Sequence, residues 1–331
     1  MSTQRLPVTV IGGYLGAGKT TLVNHALRSS DERIAVIVND FGEISIDEDL
    51  IAAAEGDKLT LANGCICCTL ADGFAAALNT IRSAEVLPER LLIEASGVAD
   101  PAQIAAYGHT PGLRLDAVVV LADAEQVRRQ ANDRWVADTV RMQLAAADLL
   151  VVNKIDLLGD IAAADALCDW LTGIASTAAI VRASRAAVPV EVLFGPQPEG
   201  DAVNTLDRSA PDPSAARSLP AAEDLFESQT VVLDAPVPMP VIEALLADLP
   251  ENVARLKGLV QAAPPAAAGD ACGTEAADTT AYLIEAVGAR ASITPLAPGS
   301  DESPRQWAVS VIAYKGSLPS DWLSERLVRR G

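Results

Sequence analysis

GYLGAGKT, residues 13–20, fits the pattern Gly-x4-Gly-Lys-Ser/Thr in full, and its surroundings are those the pattern needs. An apolar run, VTVIG at 8–12, leads into it as a strand, and a helical stretch starts at Lys19. Gly13, Gly16 and Gly18 let the backbone curl until its amides, that of Ala17 among them, point inward at one anion, and the helix N-terminus adds partial positive charge. On this reading Lys19 holds the β- and γ-phosphate oxygens of a nucleotide, the Thr20 hydroxyl ligates Mg²⁺, and Thr21 joins the phosphate-binding set. A glycine-rich strand-to-helix turn without a ligand is the alternative.

On the C-terminal side of this loop, short β-rich runs alternate with helical stretches up to residue 195. RIAVIVN, KLTLAN, RLLIEA, DAVVVLA, DLLVVN and AAIVRA join VTVIG as strands, several of them continuously apolar, as a parallel sheet covered on both faces requires. Helices are expected near 19–29, 70–84, 101–108, 134–147 and 160–174. This order is that of an α/β domain, a doubly wound and mainly parallel sheet whose ligands bind at the carboxyl ends of the strands. Residues 196–222, rich in Pro, Ala, Ser and Asp without an apolar period, read as a linker between domains at 1–195 and 223–331. The second, smaller domain is α+β, with three or four strands (SQTVVLD, LKGLVQA, TAYLIEAV, QWAVSVIAY) and helices near 238–248 and 319–329.

Composition narrows the class. A chain of 331 residues, 50% hydrophobic, can bury a large core. No apolar run reaches the ~18–20 residues that span a bilayer, and residues 1–7 lack the basic start and apolar stretch of a signal peptide, so a cytoplasmic address and no membrane partner are expected. A formal charge of −19 repels nucleic acid, which is excluded as a partner on that ground.

Three further motifs carry chemistry. Asn153, Lys154 and Asp156 form an NKxD element at a strand end, where the Asp156 carboxylate can accept from the ring N–H and exocyclic amine of guanine; adenine would leave it unpaired, so GTP is the expected nucleotide. The alternative is a strand followed by a helix cap. In RLLIEASG, Glu94 ends a strand where a carboxylate can reach the Mg²⁺ shell, and Gly97 can sense a γ-phosphate through its backbone; a capping role for Glu94 is the alternative. NDFGEISID at 39–47 carries Asp40, Glu43 and Asp47, which either orient Mg²⁺ and the attacking water, with Asp40 as a catalytic group beside Lys19 and Glu94, or form a plain solvated loop.

NGCICC places Cys65, Cys67 and Cys68 within four positions. In extended chain Cys65 and Cys67 share a face, and a helix starting just beyond would favour their thiolates, so two or three sulfurs can converge on Zn²⁺ or Cu(I). Zinc prefers four donors, and Glu43, Asp40, His109 or water can complete the set. A redox-sensing cluster and buried small residues are the alternatives. Cys168 reads as a core residue, Cys272 is uninformative, and His25 and His109 carry little signal singly.

Together GGYLGAGKTTL, NDFGEISID, NGCICC, IEASGVADP and VVNKIDLL resemble the CobW-type P-loop GTPases, and ENVARLKGLV with QWAVSVIAY resembles that family's second domain more loosely. The resemblance implies a P-loop NTPase fold, slow metal-modulated GTP hydrolysis with Mg²⁺, Zn²⁺ or a related ion at the cysteine motif, and hand-over to a client apo-metalloprotein or metal-cofactor pathway. A homo-oligomer is compatible with it. Two departures stand out. Val38 occupies the position where many members carry a glutamate, with Asp40 in place of the next one, which makes Glu43 the first acidic metal ligand to test. The histidine-rich stretch of some relatives is also absent, the chain having 2 histidines in all. A nucleotide-gated regulator that senses metal or redox state through vicinal thiols is the alternative function.

Overall fold

The computed structural model describes residues 5–38, 60–61, 77–79, 81–84, 86–195, 225–250, 252–262, 279–296 and 307–327. Two compact units emerge, Arg5–Phe194 and a second that takes in Gly195–Gly331.

The first unit is built on seven strands, β1 (Leu6–Gly13), β2 (Ile34–Val38), β3 (Thr60–Leu61), β4 (Arg90–Glu94), β5 (Leu113–Asp123), β6 (Leu149–Asn153) and β7 (Ala179–Arg182), in the order β3-β2-β4-β1-β5-β6-β7. Every pairing is parallel. The apolar runs explain the arrangement: β4 and β6 are buried along their whole length, and so is most of β1 and β5, as for strands with helices on both faces. β1 sits between β4 and β5, where the chain changes the direction in which it adds strands, and such a switch point opens a crevice at the carboxyl ends.

The helices that shape this crevice are α1 (Lys19–Ser29), α2 (Pro101–Ala105), α3 (Ala137–Ala145) and α4 (Ile161–Thr172). α1 turns Leu22, Val23, Ala26 and Leu27 inward, one stripe of a 3.6-residue period. α2 starts on an Asp100 side chain that accepts from the Ala102 N–H, with Pro101 in the first turn, and α4 starts on Asp160, which accepts from the Ala163 N–H. Neither Glu94 nor Asp156 caps the helix that follows it.

At the amino-terminal end of the sheet lies a buried ion cluster. Arg90, the first residue of β4, places Nη1 2.7 Å from Asp116 on β5 and Nε 2.6 Å from Glu32, while its guanidinium stacks 4.2 Å over the Phe194 ring. Burial alone pulls the Arg90 pKa down, but Asp116 and Glu32 outweigh it and hold the group above its ordinary value.

The second unit has five antiparallel strands, β8 (Phe226–Val232), β9 (Val253–Ala262), β10 (Thr280–Val287), β11 (Arg290–Pro295) and β12 (Ala308–Tyr314), in the order β11-β10-β9-β12-β8. Leu256, Val260 and Ala262 of β9, Ile284 and Ala286 of β10 and Val309 and Val311 of β12 pack with Ile242 and Leu245 of α5 (Met239–Ala247) and Leu323 of α6 (Trp322–Leu327). The expected three or four strands are thus five. RASITP, the additional one, lies at an edge with no fully buried residue, a short run with one large apolar side chain, and it follows β10 through a two-residue turn opened by Gly288 at φ +52°. No helix among the described residues is long and apolar enough to cross a membrane.

Candidate functional site

Four central strands end on residues of one site: Gly13 on β1, Glu94 on β4, Asp123 on β5 and Asn153 on β6. Asp123 stands opposite Asn153 in register, and Glu94 lies beside Ile11 of β1 and Val38 of β2. The parallel sheet alone therefore gathers side chains that are far apart in sequence.

The loop between β1 and α1 has the form the glycines imply. Gly18 adopts φ +104°, and a Cβ there would come 2.5 Å from Asn153 Nδ2, so both conformation and space demand glycine. α1 starts without a side-chain cap and without an acidic residue in its first turn, which leaves its N-terminal dipole for an outside anion. Lys19 Nζ closes back onto the loop's first residue, 3.0 Å from the Gly13 carbonyl. Ala17 is buried, and Gly16 sits in open space.

Across the crevice, the Thr20 hydroxyl donates to Glu94 Oε1 at 2.8 Å, and Glu94 is buried. A hydroxyl and a carboxylate in contact are hard oxygen donors of the kind Mg²⁺ takes, so these residues fit the ion expected with a nucleoside triphosphate. Gly97 follows in a turn pressed against the phosphate loop: a Cβ there would lie 2.4 Å from Leu15 Cδ2 and 3.1 Å from the Leu15 nitrogen.

The NKxD element is built into the same frame. Asn153 Nδ2 donates to the Ala17 carbonyl at 2.9 Å while its Oδ1 accepts from the Ala186 N–H at 2.8 Å, so one carboxamide joins the phosphate loop to the turn after β7. Lys154, at φ +61°, pairs with Asp123 at 2.7 Å, and Asp123 in turn accepts from the Glu125 and Gln126 N–H groups. Arg185 and Ala186 also adopt positive φ, 54° and 55°. A left-handed non-glycine residue costs about 1–2 kcal/mol, and such strain gathers where a ligand needs a special backbone. Asp156 lies in the short 3₁₀ turn Ile155–Leu157 with its carboxylate exposed.

Lys19, Thr20, Glu94, Gly97, Asn153 and Lys154 are thus brought to one end of the sheet, with Asp156 one turn beyond. Asp40, Glu43, Cys65, Cys67 and Cys68 lie outside the described residues. His25 bonds the Val188 carbonyl at 2.8 Å, and His109 is exposed just before β5, at the opposite end of the sheet from Glu94. Sequence reasoning missed Asp123, Gln143 and the turn at 184–186. Asp123 was readable as a polar residue closing an apolar strand, but Ala186 acts through its backbone N–H and gives no side-chain signal.

Known proteins share sequence with this chain. Residues 7–182 match the family model described as CobW/HypB/UreG, nucleotide-binding domain. Zinc chaperone CobW of Sinorhizobium sp is 34% identical over 222 residues, 58% of this chain and 62% of the relative, so the match spans less than two thirds of that protein's length. Zinc chaperone YjiA of Escherichia coli is 32% identical over 272 residues, 77% of this chain and 81% of the relative. The crystal structure of the Zn(II)-bound YjiA GTPase from E. coli aligns over 98% of each chain at 26% identity with a TM-score of 0.44.

Proposed function

The chain belongs to the CobW/HypB/UreG nucleotide-binding family, and from that membership and the site we propose a GTPase that carries a thiophilic metal ion, zinc foremost, and passes it to a client apo-metalloprotein or metal-cofactor pathway. The observation that carries the nucleotide half is the 2.8 Å bond from Thr20 to Glu94, which joins the phosphate loop to the end of the neighbouring strand. The zinc chaperones among the relatives support the metal half.

In this proposal the phosphate-loop amides and Lys19 bind the triphosphate, and Asp156 accepts from the guanine edge while Asn153 holds the loops on either side of it. Thr20 and Glu94 hold Mg²⁺, which when bound neutralises charge on the phosphate oxygens. Asp40 aligns the attacking water, and Gly97 presents its backbone to the γ-phosphate. Little covalent chemistry falls to the protein in phosphoryl transfer, so positioning and charge account for the rate. Cys65, Cys67 and Cys68, with Glu43, hold the cargo ion, and the nucleotide state sets how firmly.

Calorimetric titration of Zn²⁺ into the protein loaded with GDP, and then with a non-hydrolysable GTP analogue, tests the coupling. Different affinities are expected, and identical ones refute the switch. Metal analysis of wild type and Cys67→Ser tests the site itself. Loss of a stoichiometric ion from the variant is the expected result.

A further inference from the structure

Gln143 is a buried carboxamide on α3, 1% exposed, between the buried apolar residues Val140 and Leu144. Its Nε2 donates to two main-chain carbonyls of the turn after β4, Gly97 O at 3.1 Å and Ala99 O at 2.8 Å. Because both partners are acceptors, only the amide nitrogen can face them, which fixes the orientation of the group. Gln143 Oε1 is left buried with no hydrogen-bond partner among the described residues, a cost that an apolar side chain would not incur. The same residue lines a small cavity with Tyr14 and Ala17 of the phosphate loop and with Asp123. That cavity has about 10 Å³ open to a water's centre, room for one molecule.

The turn it grips also abuts the phosphate loop, since a Cβ at Gly97 would lie 2.4 Å from Leu15 Cδ2 and 3.1 Å from the Leu15 nitrogen. Two carbonyls held by Gln143, the contact with Leu15 and the Ala99 N–H bond to the Ser96 carbonyl at 3.0 Å together leave residues 97–99 little freedom. Leu15 and Val98 on this edge are exposed, so the side chain that follows Gly97 adds little apolar packing to the restraint.

We propose that Gln143 is a positioning residue for the γ-phosphate: by gripping the Gly97 and Ala99 carbonyls it pre-orders the turn that distinguishes GTP from GDP. The inference rests on the GTPase reading and adds a residue to it. A nucleotide lacking the γ-phosphate makes no demand on this turn, so the grip matters for one nucleotide and not for the other.

The test compares wild type with Gln143→Met, which keeps the length and removes the donor, and with Gln143→Glu, whose carboxylate repels both carbonyls. Affinities for GDP and for a non-hydrolysable GTP analogue are measured by calorimetry, and GTP turnover alongside. For both variants GDP affinity is expected to stay within about twofold of wild type, while analogue affinity and kcat each fall on the order of tenfold, the scale of losing hydrogen bonds to buried acceptors. Retained GDP binding also reports that the variants fold. Equal weakening for both nucleotides would mark Gln143 as structural and overturn the proposal, as would unchanged analogue affinity or a tighter analogue complex. A wild type that neither prefers nor hydrolyses GTP would refute the GTPase reading instead, and is distinguished because it needs no variant.

Discussion

The two ends of the parallel sheet spend their polar residues in opposite ways. At the amino end, Arg90, Asp116 and Glu32 face one another at 2.6–2.7 Å under the Phe194 ring. Charge meets charge there. At the carboxyl end, beside the Lys154–Asp123 pair and the Thr20–Glu94 bond, most polar side chains grip backbone: Lys19 the Gly13 carbonyl, Asn153 the Ala17 carbonyl and Ala186 N–H, Gln143 the Gly97 and Ala99 carbonyls, Asp123 the Glu125 and Gln126 N–H groups. A side chain that holds a loop by its main chain leaves that loop shaped for something else. The contrast separates groups that stabilise the fold from groups that prepare a site.

Arg90→Met breaks the contrast most severely. It takes the 2.7 Å guanidinium partner from Asp116, whose side chain is 1% exposed, and leaves it the more distant Arg114 at 4.0 Å and the Thr9 hydroxyl at 3.3 Å. A loss of about 3–5 kcal/mol in unfolding free energy is expected by chemical denaturation, with nucleotide affinity unchanged wherever the variant remains folded. Lys19→Ala is the converse. Calorimetry should record a fall in GTP affinity or turnover of about 10²–10³-fold, while the denaturation midpoint stays close to wild type.

Asp156→Asn probes the base side of the same end. With an exposed carboxylate replaced, stability is untouched, and GTP affinity is expected to drop roughly tenfold or more with no gain for ATP in a competition assay. A variant that keeps wild-type GTP affinity would move base recognition elsewhere. Cys168 gives the smallest effect. Burial raises its thiol pKa, with Arg182 pulling the other way. The folded thiol therefore keeps its proton past the pH at which the unfolded one ionises. Its contribution to stability is intact below the unfolded thiol pKa and is lost as pH rises through the folded one. Cys168→Ser should flatten the alkaline limb of a stability-against-pH curve, and an unaltered limb would disprove the linkage.

Legibility from sequence follows the same division. Strands such as AVVVLA and LLVVN fell where expected because burial on both faces forces unbroken apolar runs, and the phosphate loop was readable because its glycines answer a backbone demand. RASITP was not, since a short edge strand with Ile293 as its one large apolar residue writes only a faint alternation. Glu94, expected from sequence to end a strand, closes β4 and accepts from the Thr20 hydroxyl at 2.8 Å. The Asn153, Gln143 and Asp123 grips were illegible for a different reason. Their partners are main-chain atoms, which every sequence possesses, so only the folded chain can say which carbonyl or N–H is held.

One consequence of the Asn153 bridge reaches beyond point substitutions. A single carboxamide is bonded at one end to the phosphate loop and at the other to the turn behind the NKxD element, so neither can be ordered without drawing on the other. At the proposed GTP site, guanosine and pyrophosphate supplied as separate fragments are expected to bind cooperatively, each settling its own side of Asn153 for the other. The intact nucleotide would owe part of its grip to this thrift, over and above the covalent link between its halves.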